Sequence, residues 1–311
     1  MPITQDEGNE YFEFTKAIVG HLKSFDFDPD ITLWHYTNGA GLLGILQSAQ
    51  IYATQVACLN DSTETTYAQK LFRDAISEVK KKHSKDETVL AYLSEQVTDD
   101  VTQSVSPSKF FVTCFSAEKD DLSQWRAYSE TGGENGYAIG FRAQGLFSSL
   151  PNRMVAKVNY DREFHLAEAK EVAEATIRFF LKGLQTVQAR TPEEWAKEFF
   201  AAWDDRVYRL APLVKDRGFR AENEFRIVHE LYTHEMNQVQ VRQKRNLLSR
   251  HIALNFPTWV GSQRPMLPIV EVMVGPSRHP AVSRVSVGTL LHQMGYANVP
   301  VTVSECPLQA P

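Results

Sequence analysis

Apolar positions along the chain switch between a period of two and a period between three and four, and the switches divide it into strands and helices. Phe14, Ile18, Val19 and Leu22 recur at helical spacing and predict an N-terminal cap helix within residues 1–30, which Pro29 then breaks. Ile31 to Thr37 (ITLWHYT) reads as a strand, and Asn38 is an expected N-cap for a helix carrying Leu42, Leu43, Ile45 and Leu46 and ending near Ser48. Ile51 to Thr54 predicts a second strand. A helix is expected after Asn60, through Tyr67, Leu71, Ile76 and Val79. Phe110 to Ser116 and Gly136 to Phe141 are β-branched and aromatic runs, hence strands. Residues 162–212 predict a helical pair, the second helix opening on Thr191-Pro192-Glu193-Glu194. Glu222 to Val228 reads as a strand with Glu222, Glu224 and Arg226 on one face and Phe225 and Ile227 on the other. Strand-like pieces follow between Val239 and Phe256, and then a strand at 270–274, a Gly275-Pro276 turn, a helix at 281–294 and a strand at 299–303.

Strands and helices intermixed in this order predict an α+β fold. The expectation is one domain over residues 31–306, with helical insertions near 62–100 and 162–212. With 311 residues, 43% of them hydrophobic and 23% charged, the composition is that of an ordinary globular protein and excludes disorder and collagen-like repeats. A net charge of −5 gives no general attraction to nucleic acid or to an anionic membrane. No stretch approaches 18 apolar residues and the first twenty carry no apolar h-region, so the expected location is cytoplasmic, without a membrane partner. Cys58, Cys114 and Cys306 are far apart and odd in number, which points to free buried thiols and no structural metal.

Several constellations carry chemistry, each with a plainer competitor. His35 and Thr37 share a strand face beside a helix N-terminus, where a phosphate could sit; a satisfied structural histidine is the alternative. Asp61 and Glu64 have capping-box spacing, which leaves Asn60 unexplained. Trp125 and Tyr128, three apart, put two rings on one side of a helical turn, as core packing also would. Ala138 and Gly140 leave a bare strand face that either a flat ligand or tight sheet packing would use. Arg242, Lys244, Arg245 and Arg250 are an anion contact or a solvated loop. The chain has no P-loop, zinc-protease helix, dinucleotide fingerprint or nucleophile elbow.

A histidine ending a strand, an aromatic pair after a central strand and a late Glu-x-Glu strand together resemble the H-Y-E arrangement of ADP-ribosyltransferases. As a series, HYT (35–37), LND-x-x-E (59–64), CFS (114–116), W-x-x-Y (125–128), GYAIGF (136–141), E-x-E-F-R (222–226) and VGP (274–276) resemble the prokaryotic domain of unknown function 2971. The transferase resemblance implies a split mixed β-sheet that binds NAD and passes ADP-ribose to a macromolecular acceptor, protein or nucleic acid. A toxin or phage-defence role is implied by the same analogy. Carried over residue by residue, it implies Glu224 as the catalytic carboxylate and Glu222 as the group that handles the acceptor. Contacts to NAD would come from His35, Tyr36, Thr37, Asn60, Ser116, Trp125 and Tyr128, with Tyr52 or Tyr67 as rival stacking rings. Breaking the nicotinamide–ribose bond builds positive charge on the sugar, so a carboxylate there lowers the barrier. The reading requires His35 and Glu224 to face one cleft. Competing readings are a non-catalytic nucleotide-binding or interaction module, and a metal-dependent nuclease built on Asp61, Glu64, Glu222 and Glu224.

Overall fold

The computed structural model describes residues 28–59, 63–82, 109–128, 136–150, 154–171, 173–174, 211–244, 247–258 and 264–307. The cap helix, Asn60, Asp61, the run from 83 to 108 and most of the second helical pair lie outside them. Two compact units share the chain, one made of residues 1–24, 55–110 and 158–218, the other of 25–54, 111–157 and 219–311. Among the described residues no helix is long and apolar enough to cross a membrane.

The second unit is built on a ten-stranded mixed sheet, which makes the fold α+β. Its strands are β1 (Thr32–Asn38), β2 (Gln50–Gln55), β3 (Phe110–Ser116), β4 (Gly136–Arg142), β5 (Met154–Lys157), β6 (Glu224–Glu230), β7 (Gln240–Lys244), β8 (Leu247–Asn255), β9 (Ile269–Val274) and β10 (Val301–Val303). The spatial order is β10-β9-β4-β1-β3-β2-β8-β7, and β6 joins β3 to β5. Helices Gly39–Ser48 (α1), Leu122–Tyr128 (α2), Ala143–Ser148 (α3) and Pro280–Gln293 (α4) connect them.

Local chemistry sets these boundaries. Asn38 ends β1 and caps α1, its side-chain oxygen accepting from the Gly41 amide at 2.8 Å. That cap occupies the helix N-terminus that the sequence offered to a phosphate. Gly41 has to be glycine here, because a Cβ would collide with the Thr37 hydroxyl. Gly140 on β4 faces Trp34, and a Cβ there would lie 3.0 Å from its ring, so the bare face serves tight sheet packing.

Alternation along the strands collects one large core: Leu33, Phe111, Phe115, Ile139, Phe141, Ile51, Ala53, Phe225, Ile227, Ile252, Leu254, Val272 and Val274, together with Leu42 and Leu46 of α1 and Val287 and Leu291 of α4. Each fully buried side chain of this kind contributes roughly 1.5–3 kcal/mol of transfer free energy. On the other face of β1 and β4, a smaller cluster joins Trp34, Tyr36, Trp125, Ala138 and Met273.

The strand expected from Glu222 begins two residues later. Residues Arg217–Glu222 form a 3-10 turn, and Asn223 has φ of +41°, a conformation asparagine adopts more readily than most residues. The chain therefore turns a corner at Asn223, and Glu222 does not share the strand face of Glu224 and Arg226. The three cysteines are free, as expected, and half-buried rather than buried.

The first unit contains the helix Thr63–Lys82 and helical residues 162–171. Within it His165 is buried and satisfied on both ring nitrogens, Nδ1 meeting the Tyr67 hydroxyl at 2.8 Å and Nε2 the Asn159 carbonyl at 2.9 Å. Because a carbonyl only accepts, the proton sits on Nε2 and Nδ1 accepts from Tyr67. Tyr67 is thereby occupied.

Candidate functional site

The sheet changes character beside His35. β1 pairs with β4 along its whole length, from Thr32↔Arg142 to Asn38↔Gly136, but meets β3 at one position, Trp34↔Ser116. Beyond that pair the ladder stops, and the His35 side chain takes over, its Nδ1 donating to the Cys114 carbonyl of β3 at 3.0 Å. The bond fixes the tautomer: Nδ1 carries the proton and Nε2 presents a lone pair. Burial lowers the His35 pKa; the Cys114 bond opposes this, and the charge of Arg242 adds to it. His35 is therefore a neutral hydrogen-bond acceptor at neutral pH, suited to a hydroxyl such as that of a ribose. Its ring rests against Phe115, with centroids 5.6 Å apart.

Arg242 comes from β7 and belongs to a polar group on the far side of the sheet from the core. Because Ile51, Ala53, Ile252 and Leu254 face the core, Tyr52, Thr54, Ser249 and His251 face away from it, and the register Arg242↔Ser249 adds Arg242 to them. The Tyr52 ring is 38% exposed, the most accessible aromatic face of this group. Arg242 sits over it at 5.0 Å, and the His251 ring lies 4.4 Å away, tilted by 44°. Burial and the neighbouring Arg242 charge lower the His251 pKa, against a Ser249 backbone contact that raises it. The Thr113 hydroxyl donates to the Tyr52 carbonyl at 3.1 Å, so adjacent β3 residues hold Tyr52 and His35.

Glu224 and Arg226 occupy the same face on β6, which is two strands from β2, ~10 Å at ordinary strand spacing, and farther from β8 and β7. Their charges are paired with each other. Nε and Nη2 of Arg226 donate to the two oxygens of Glu224 at 2.8 and 2.9 Å, and the side chains are 1% and 6% exposed. His35, by contrast, belongs with Leu33 to the core-facing set of β1. Strand alternation thus places His35 on the face opposite Glu224, Tyr52 and Arg242, although the charge of Arg242 is still felt at the histidine.

The remaining expected site residues hold the fold. Tyr36 is buried; its hydroxyl donates to the Glu118 carbonyl at 2.8 Å and accepts from the Asp121 amide, and burial pushes its pKa well above the usual tyrosine range. Trp125 packs edge-on against Tyr36 at 4.7 Å and donates its Nε1 proton to Asp120, while Tyr128 lies 6.4 Å from Tyr36. Ser116 donates to the Glu222 carbonyl at 2.7 Å and accepts from the Glu118 amide at 3.0 Å, clamping the turn that precedes β6. Thr37 covers the first turn of α1. Asn60 lies outside the described residues.

Sequence reasoning noticed Arg242 within a basic cluster and weighed Tyr52 as a stacking ring, but passed over Ser249 and His251. The period-two spacing of Ser249 and His251, opposite to that of Ile252 and Leu254, was the signal available. No curated protein and no solved structure matches this chain. A family model described as a protein of unknown function (DUF2971) matches residues 124–227, which include Trp125, Tyr128, the GYAIGF strand and Glu224, and over that stretch the chain shows the resemblance its motif series carries.

Proposed function

We infer that the protein is a nucleotide-binding module whose ligand, NAD being the first to test, enters the opening of the sheet at His35. The observation that carries this is a neutral histidine presenting a lone pair at the opening, coupled through the charge of Arg242 to the exposed Tyr52 ring over which that arginine sits. A ribose hydroxyl would donate to His35 Nε2, and a base would stack on Tyr52, a contact worth roughly 0.5–1.5 kcal/mol beyond area burial. Titration calorimetry with NAD, ADP-ribose and AMP tests it. Saturable binding is expected, weakened several-fold by Tyr52→Ala and more by His35→Ala. An absence of binding to all three ligands, or binding indifferent to both substitutions, overturns it.

A second reading, transfer of ADP-ribose from NAD to a macromolecule, is favoured by one observation: Glu224 lies on the same sheet face as Tyr52 and Arg242. It does not meet the requirement that His35 and Glu224 face one cleft, and it further requires the carboxylate to leave Arg226 and reach the ribose. Nicotinamide release from labelled NAD, lost in Glu224→Gln with the fold intact, would support it. Binding without turnover leaves the first reading.

A further inference from the structure

Arg242 Nε, Ser249 Oγ and His251 Nδ1 are all buried and without a hydrogen-bond partner among the described residues. Buried polar atoms are almost always paired, so orphans at adjacent positions are out of the ordinary. Arg242 and Ser249 are direct cross-strand partners, and His251 is the next residue along β8 on the same face. Neither β7 nor β8 contains an aspartate or glutamate. The group thus offers a guanidinium, a hydroxyl and an imidazole with no carboxylate on its own two strands to answer them. Tyr52 walls it on the β2 side, between the guanidinium and the imidazole.

We propose that Arg242, Ser249 and His251 form an oxyanion subsite that takes a phosphoryl group of the bound nucleotide. The chemistry fits in each part. A guanidinium is the side chain best matched to phosphate, since it stays charged and donates in a fork. A serine hydroxyl rotates to suit a second oxygen. His251 donates from Nδ1 when its proton is placed there, or as the imidazolium that an arriving anion favours. The phosphate also answers the charge of Arg242, which in the free protein depresses both His35 and His251. The subsite rests on the nucleotide reading above for its ligand, but the probes separate the two.

The experiment compares NAD, adenosine, nicotinamide riboside and inorganic pyrophosphate on the wild type and on Arg242→Gln, His251→Gln and Ser249→Ala. Loss of a charged hydrogen bond predicts about tenfold or more weaker NAD and pyrophosphate binding in Arg242→Gln, with the phosphate-free ligands unchanged. Ser249→Ala removes a buried hydroxyl without a partner, so it should bind NAD more weakly while unfolding no more easily than wild type. If NAD binds but the three substitutions change it less than about threefold, or weaken the phosphate-free ligands equally, the subsite is wrong and the nucleotide reading stands. If pyrophosphate binds through Arg242 but no nucleotide or nucleoside does, the subsite stands and the nucleotide reading falls. Binding of none of the probes sinks both.

Discussion

Glu224 is the residue on which the transferase resemblance and the structure make opposite demands, and replacing it separates them. Its carboxylate and the Arg226 guanidinium form a two-pronged pair at 2.8 and 2.9 Å, with side chains 6% and 1% exposed. Opposite unit charges ~4 Å apart at an effective dielectric of 20 attract by about 4 kcal/mol. Removing one partner of such a pair typically costs about 3–5 kcal/mol, because the other charge stays buried. The two single substitutions should differ. In Glu224→Gln the guanidinium cannot shed its proton, so the full cost persists across neutral pH. In Arg226→Met the buried carboxyl has lost its guanidinium and can take up a proton, so its folded pKa rises relative to wild type. An acid with a raised folded pKa stabilises the native state below that pKa and loses the contribution as pH rises through it. Relative to wild type, Arg226→Met is therefore less destabilised at pH 5 than at pH 8, and Glu224→Gln equally so at both. Urea denaturation followed by intrinsic fluorescence measures these differences. If Glu224→Gln unfolds within about 1 kcal/mol of wild type, the pair is not structural. If that variant also stops NAD turnover, Glu224 is a working carboxylate.

Other perturbations address the frame around the opening. Asp120 accepts from Trp125 Nε1, Ser304 Oγ and the Glu305 amide; burial alone would raise its pKa, but these bonds hold it below the ordinary value of 3.8. Asp120→Ala should cost about 1–3 kcal/mol in urea denaturation, and the wild-type contribution should fade as pH drops below about 4. His35, His165 and His251 all have pKa values lowered from 6.5 by burial. The unfolded chain then binds protons first, so stability should decline as pH falls below 6.5, and a flat profile between pH 7 and 5 would contradict their burial. A Cβ at Gly275 would lie 2.8 Å from the Trp125 ring and 2.9 Å from the Gly136 carbonyl. Gly275→Ala should therefore lower stability by roughly 1–3 kcal/mol, and an unchanged thermal midpoint would refute that packing.

What the sequence made legible follows from how local each cause is. Asn38 closes β1 and caps α1 as read, because a cap is decided within four residues. β3 spans Phe110–Ser116 as its aromatic and β-branched run predicts, and the helix and strand at the C-terminus fall within two residues of their expected starts. The misread of Glu222 has an equally local cause: period two was extended backward through Asn223, whose positive φ breaks the alternation. Partnership is harder to read. Nothing in Glu224-Phe225-Arg226 alone distinguishes a carboxylate waiting for a sugar from one bound to the arginine two residues on, because both use the same face of the same strand. Only burial decides between them, and burial depends on what lies across the sheet.

The members of the proposed site were obscured for a related reason. Tyr52, Arg242, Ser249 and His251 come from three strands separated by up to two hundred residues, and only the registers Thr54↔His251 and Arg242↔Ser249 bring them together. His35 was found through its neighbours in sequence, yet its role depends on a missing ladder: had β1 stayed paired with β3 past Trp34↔Ser116, the Cys114 carbonyl would be free to take a backbone amide, and the imidazole would lose the bond that fixes its tautomer. The opening and the neutral histidine are thus one feature. On the proposed nucleotide reading, a substitution that closes the ladder should weaken NAD binding in titration calorimetry as much as His35→Ala does, and unchanged binding would refute the link between the opening and the histidine.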